Sequence, residues 1–145
     1  MPKETANKLM NKYKTTDPFY IAKCKGIQII FEPLGNIYGY YNYYKRIKMI
    51  HINERLNETL QRFTCAHELG HALLHHDINT SFLKSHTFFS TDKIEREANT
   101  FAVELLMPDE YLYEFKNTNL TIYDAAARYG VPREVCDLKL QSKLI

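Results

Sequence analysis

Residues 67–71 read His-Glu-Leu-Gly-His, inside a stretch whose apolar and small side chains recur every three or four positions. Leu56, Leu60, Phe63, Ala66, Leu69, Gly70, Leu73 and Leu74 carry that period, which predicts a helix over 56–75. Two histidines four apart lie one turn apart on the same face, so both imidazoles reach one ion. Cys65, Ala66, Leu69, Ala72 and Leu73 surround them and make the setting an apolar one. Two histidines and a glutamate buried there without a partner are costly. Zn2+ answers that cost: it takes nitrogen ligands in a tetrahedron and keeps one position open in catalytic sites. Glu68, next to the first histidine, is aimed at a water instead of at the ion, the place of a general base.

Two histidines leave the site one ligand short. A metzincin-type continuation needs Gly at 74 and His at 77, and those positions hold Leu74 and Asp77. His75, one more turn along the helix, reads as a surface residue, as do His76 and His86. His51 falls in a strand and reads as a structural histidine. A second predicted helix, from Lys93 to Met107, offers two further carboxylates. Glu95, Ala98, Asn99 and Ala102 form one stripe at i, i+3, i+4 and i+7. Its alanines permit close approach to the first helix, and Asn99 is placed to hold a ligand histidine's other ring nitrogen. Glu97 belongs to the neighbouring stripe with Phe101 and Leu105. The residues alone favour Glu95 as third ligand, with Glu97 and Asp77 as rivals.

Around these two helices the pattern predicts an α+β domain spanning 1–145. Residues 3–14 and the stretch from Asp17-Pro18 to Gly26 read as N-terminal helices within 1–26, with Asp17 as cap and Pro18 in the first turn. Ile27–Phe31, Ile37–Tyr44 and Ile47–Ile52 give a small three-stranded sheet, antiparallel or mixed, within 27–53. It packs on the zinc-site helices of 56–107, joined by a loop over Asn79–Asp92. Helices over 109–145 follow: Asp109–Phe115, one opened by a Thr121/Asp124 capping box and closed by Gly130, and a last one after Pro132. The run Tyr38, Tyr40, Tyr41, Tyr43, Tyr44 reads as cross-strand packing instead of a base-stacking platform.

Charge narrows the partners. Nineteen Lys and Arg against 17 Asp and Glu give a net +2, a weak field for a nucleic-acid binder. A faint helix-turn-helix pattern after Thr121 has four basic against three acidic residues, so no direct nucleic-acid contact is expected. Three cysteines without a CxxC pair, a polar and basic start and no membrane-length apolar run point to a cytoplasmic protein without a membrane partner.

CAHELGHALLHH followed by EREANTFAVELLMP resembles the ImmA/IrrE family of zinc metallopeptidases. The resemblance implies a zincin-like fold, one Zn2+ per chain on His67, His71 and Glu95, and Glu68 as the catalytic residue. Its ExxxN arrangement is also similar to the ExxxD of gluzincins, with Asn99 in place of Asp. The family role it implies is an anti-repressor of a phage or mobile element, an endopeptidase whose protein substrate is a helix-turn-helix repressor encoded beside it. Two other readings are a zinc-containing regulatory or protein-binding module with little proteolysis, and a DNA-binding regulator. An extended substrate is expected to pair with the strand Ile47–Ile52, just before the HExxH helix.

Overall fold

The computed structural model describes residues 1–79 and 83–139. Two helices open the chain, α1 (Pro2–Tyr13) and α2 (Pro18–Cys24). The Asp17 carboxylate accepts the Phe19 N–H at 3.0 Å, and Gly26, at φ +73°, turns the chain out of α2. Three strands follow: β1 (Gln28–Glu32), β2 (Gly39–Tyr44) and β3 (Ile47–Asn53). A tight turn at Lys45 and Arg46, both at positive φ, joins β2 to β3 as an antiparallel hairpin. β1 runs parallel to β3 on its other side, so the sheet is mixed and its order is β1-β3-β2.

That order corrects one expectation. Ile47–Ile52 is the middle strand: Ile50 pairs with Tyr41 on one side and with Ile29 on the other. It cannot offer a free edge to a substrate. The physical reason is that β1 and β2 take up the backbone hydrogen-bonding groups on both of its sides, while Ile50 and Ile52 are fully buried. The outer edge of β2 is itself partly paired. Leu83 donates its N–H to the Gly39 carbonyl and accepts from Tyr38 N–H, both at 2.7 Å, and Asn79 Oδ1 accepts from Tyr43 N–H at 2.8 Å. Within the stretch expected as a plain loop over Asn79–Asp92, Asn79 and Leu83 therefore bond to the edge of the sheet and Ser85–Phe89 makes a 3-10 turn; residues 80–82 fall outside the described residues.

The tyrosine run packs as expected of a strand. Tyr40 stacks on His51 at 4.2 Å between ring centres, and buried Tyr41 donates its hydroxyl to the His76 carbonyl at 2.6 Å. His51 is satisfied within the sheet, with Nδ1 at 2.5 Å from Glu32 and Nε2 at 2.9 Å from Asn42.

The sheet rests on α3 (Glu58–Leu74), whose first turn is capped by Asn57 Oδ1 on Leu60 N–H at 2.9 Å. A close approach fixes their separation: a Cβ on Gly39 would meet the His51 carbonyl oxygen at 2.4 Å and Thr64 Cγ2 at 2.6 Å. On the opposite side α3 packs against α4 (Lys93–Leu106), capped by Asp92 on Ile94 N–H. Gly70, inside the HExxH motif, sets that distance, because a Cβ there would lie 3.1 Å from Phe101 Cδ1 and 3.3 Å from Ala98 Cα. Gly70→Val should therefore push α4 away and lower stability by roughly 1–3 kcal/mol, the cost of overpacking. Thermal melting of the metal-free proteins measures it. An unchanged Tm would mean that α4 yields freely.

Helix α5 (Asp109–Leu112) passes into a 3-10 turn at Tyr113–Phe115, and α6 (Ile122–Tyr129) carries the expected Thr121/Asp124 cap and ends at Gly130, φ +74°. After Pro132 the chain makes a 3-10 turn, Arg133–Val135, and residues 137–139 are helical, where the last helix was expected; residues 140–145 lie outside the described residues. Lys139 is fully buried and locks this end in place, with Nζ 2.6 Å from both Glu104 Oε1 on α4 and Asp109 Oδ1 on α5. Lys3 of α1 reaches the other Asp109 oxygen at 3.0 Å. No described helix is long and apolar enough to cross a membrane.

Candidate metal centre

The α3–α4 contact brings three predicted residues to one point. His67 and His71 project from the buried face of α3, and Glu95 projects from the first turn of α4. His67 Nε2 lies 3.0 Å and His71 Nε2 3.2 Å from the same oxygen, Glu95 Oε1. A tetrahedral site with ligand bonds near 2.0–2.1 Å has edges of about 3.3 Å, so these separations suit one ion. Among the described residues this is the trio whose ligand atoms converge, all within 4.8 Å of one another. Glu97 and Asp77 are not part of it. Glu97 turns toward His75, and Asp77 is exposed beyond the end of α3.

The proton count of the donor set points the same way. His67 Nδ1 faces Asn99 Oδ1 at 2.8 Å while its Nε2 faces the Glu95 carboxylate. A neutral imidazole carries one N–H, so it cannot donate to both. If Nδ1–H goes to Asn99, the Nε2 lone pair aims at a carboxylate oxygen, and a cation between them removes the repulsion. The stripe Glu95, Ala98, Asn99, Ala102 is buried throughout, as its spacing predicted.

Residues 22–141 match the IrrE N-terminal-like domain of a peptidase family. The chain belongs to the ImmA/IrrE family. It is 48% identical over 143 residues to "Uncharacterized immunity region protein 2" of Bacillus phage phi105, covering 98% of this chain and 90% of that protein. It is 32% identical over 142 residues to metallopeptidase ImmA of Bacillus subtilis strain 168, covering 95% of this chain and 83% of the relative. Similarity to the radiation response metalloprotease IrrE of Deinococcus deserti is 33% over 114 residues, 73% of this chain but 40% of that longer protein. Membership in this metallopeptidase family implies a metal cofactor, and His67, His71 and Glu95 are residues that could hold it.

Electrostatics in this ImmA/IrrE chain prepare the donors. Burial drives His71 down to about 4, against the pull of Glu95, so its imidazole is neutral at physiological pH. Burial pushes the Glu95 carboxyl up, but the imidazoles of His67 and His71 that face it outweigh burial and bring it below the ordinary carboxylate range. Glu68 differs from both. It is fully buried, and neither carboxylate oxygen has a hydrogen-bond partner among the described residues. Desolvation, reinforced by the Glu95 charge, pushes its carboxyl well above the usual range.

One residue was misjudged from the sequence. His75 is not a free surface residue: its Nδ1 lies 3.1 Å from His71 Nδ1, and its Nε2 lies 2.8 Å from Glu97 Oε1. The signal was available, because His75 stands four residues after His71, the spacing that already paired His67 with His71. His76 and His86 are exposed, as expected.

Proposed function

We propose that this chain is a zinc-dependent endopeptidase of phage-immunity type, and that its substrate is a helix-turn-helix repressor encoded beside it. In this reading His67, His71 and Glu95 hold one Zn2+ per chain, Glu68 is the general base, and a zincin-like single domain spans 1–145. The protein acts in the cytoplasm, on a protein substrate, without touching nucleic acid itself. One observation carries the reading: three converging donors lie beside a fully buried carboxylate that no protein group satisfies among the described residues. A merely structural zinc is closed by a fourth protein ligand, and the converging group among the described residues has three. The relatives' names, a metallopeptidase and an immunity-region protein, support the same class.

When bound, zinc supplies a Lewis acid that polarises the scissile carbonyl and acidifies water. The chain's own residues do the rest. Glu95, held ionised, and neutral His71 present lone pairs without first having to lose protons. Burial pushes metal-free Glu68 toward its protonated form; a bound cation would favour its carboxylate, which would then take a proton from the attacking water and return it to the departing amine.

Incubation of the purified protein with the neighbouring repressor tests this. A discrete cut is expected, abolished by a chelator and restored by Zn2+, with about one zinc per chain by metal analysis. Zinc-free protein after metal-supplemented purification would end the metal reading. Zinc-loaded protein that leaves the repressor intact would discard that substrate.

A further inference from the structure

We propose that His75 and Glu97 form a positioning relay that fixes the tautomer and orientation of His71. The inference rests on the reading of His71 as a metal ligand. His75 is the C-cap residue of α3, and its ring lies 5.3 Å from that of His71, centre to centre. The side chain of His71 is fully buried, that of His75 is 9% exposed and that of Glu97 32%. The relay thus runs from the buried centre outward to a carboxylate near solvent.

Proton accounting gives the contact a direction. A carboxylate only accepts, so the His75 proton that meets Glu97 sits on Nε2. Neutral His75 then has a lone pair on Nδ1. Only one proton fits between the two Nδ1 atoms 3.1 Å apart, and it must belong to His71. With Nδ1 protonated, His71 keeps the Nε2 lone pair that faces Glu95 and the common point of the donor set. Without an acceptor at His75, His71 is free to carry its proton on Nε2, the tautomer that hydrogen-bonds Glu95 and cannot bind a metal. His67 reaches the same end by a different support, the amide oxygen of Asn99. Glu97, a rival for third ligand, thereby acquires a role that places it beside the site instead of in it.

The test uses the full chain and three substitutions: His75→Phe, which keeps a ring but removes the acceptor, His75→Gln, which restores an acceptor oxygen, and Glu97→Ala. Chelator competition measures Zn2+ affinity, Co2+ substitution reports ligand geometry through its visible spectrum, and melting of the metal-free proteins controls for folding. We expect His75→Phe to weaken Zn2+ binding about 10–100-fold, the usual effect of losing a support behind a ligand histidine. Its Co2+ bands should shift, His75→Gln should recover most of the affinity, and Glu97→Ala should fall between. A purely structural role would lower the melting temperature of His75→Phe and His75→Gln alike without that recovery, which would overturn the relay. Zn2+ affinities and Co2+ spectra unchanged in all three variants would overturn it too, while leaving the metal centre intact. A wild-type chain that binds neither ion would remove the metal centre itself, a distinguishable failure.

Discussion

Glu68→Gln should leave a chain that folds and takes up zinc but cleaves its substrate roughly 10²–10⁴-fold more slowly, the range for losing one general acid–base group. The same substitution should stabilise the metal-free protein at neutral pH. Glu68 is fully buried with both oxygens unpartnered among the described residues, and its carboxyl is pushed well above 4.5. As pH rises past about 4.5 the unfolded chain releases this proton while the folded chain keeps it. Folding then binds a proton, so stability drops as pH climbs toward the raised folded value. The amide introduced by Glu68→Gln does not titrate, and the variant escapes that loss. His71 acts in the opposite sense: its folded value of about 4 lies below 6.5, so stability falls as pH drops through that interval. Both proteins share the His71 effect, and it cancels in their difference. The gap in melting temperature between Glu68→Gln and wild type should therefore widen from pH 5 to pH 8. A constant gap, or cleavage at the wild-type rate, would remove Glu68 from the role of buried base.

Local physics makes much of this chain legible in its sequence. The Asp17-Pro18 cap, the Thr121/Asp124 box and Gly130 are helix boundaries written in neighbouring residues, and all three stand where expected. The stripe on α4 was legible because period 3.6 decides which residues share a face, and Glu95, Ala98, Asn99 and Ala102 are all buried. What was missed depends on contacts between distant segments. Nothing local to Ile47–Asn53 says that β1 will pair on its far side and make it the central strand. Nothing local to Leu83 announces its backbone pairing with Tyr38 and Gly39. Lys139 looks like a solvated C-terminal cation, yet Glu104 and Asp109 draw it into full burial. His75 was the one miss with a local clue. Its distance along the helix axis rules out a shared ion, but i+4 spacing also lets one ring support another.

Zinc should raise the melting temperature of wild type and of Glu97→Gln, and fail to raise that of Glu95→Gln. A ligand that binds only the folded chain stabilises it by about 4 kcal/mol at a thousand times its dissociation constant, so loss of the site erases a large shift. Glu95 Oε1 is the oxygen on which both Nε2 atoms converge, at 3.0 and 3.2 Å, and a neutral amide there supplies neither the charge nor the same donor strength. Glu97 meets only the outer side of the site through His75, and the amide in Glu97→Gln retains an oxygen able to accept the His75 N–H. That variant should lose at most a few-fold in zinc affinity, well short of the roughly 10–100-fold expected when a support is removed outright. Without zinc, the Glu95 variant should still fold, because Asn99 continues to hold His67 and the apolar contact between α3 and α4 at Gly70 and Phe101 is untouched. Its failure to respond would then report the ligand and not the fold. The reverse ranking, with Glu97→Gln unresponsive and Glu95→Gln normal, would move the third ligand to Glu97. That outcome requires α4 to rotate by roughly half a turn, since Glu95 and Glu97 stand two residues, about 200°, apart around the helix. Such a rotation would carry Asn99 away from His67 and turn exposed Arg96 and half-buried Thr100 toward the core. The burial of the Glu95 stripe therefore ties the choice of ligand to the packing of the whole helix.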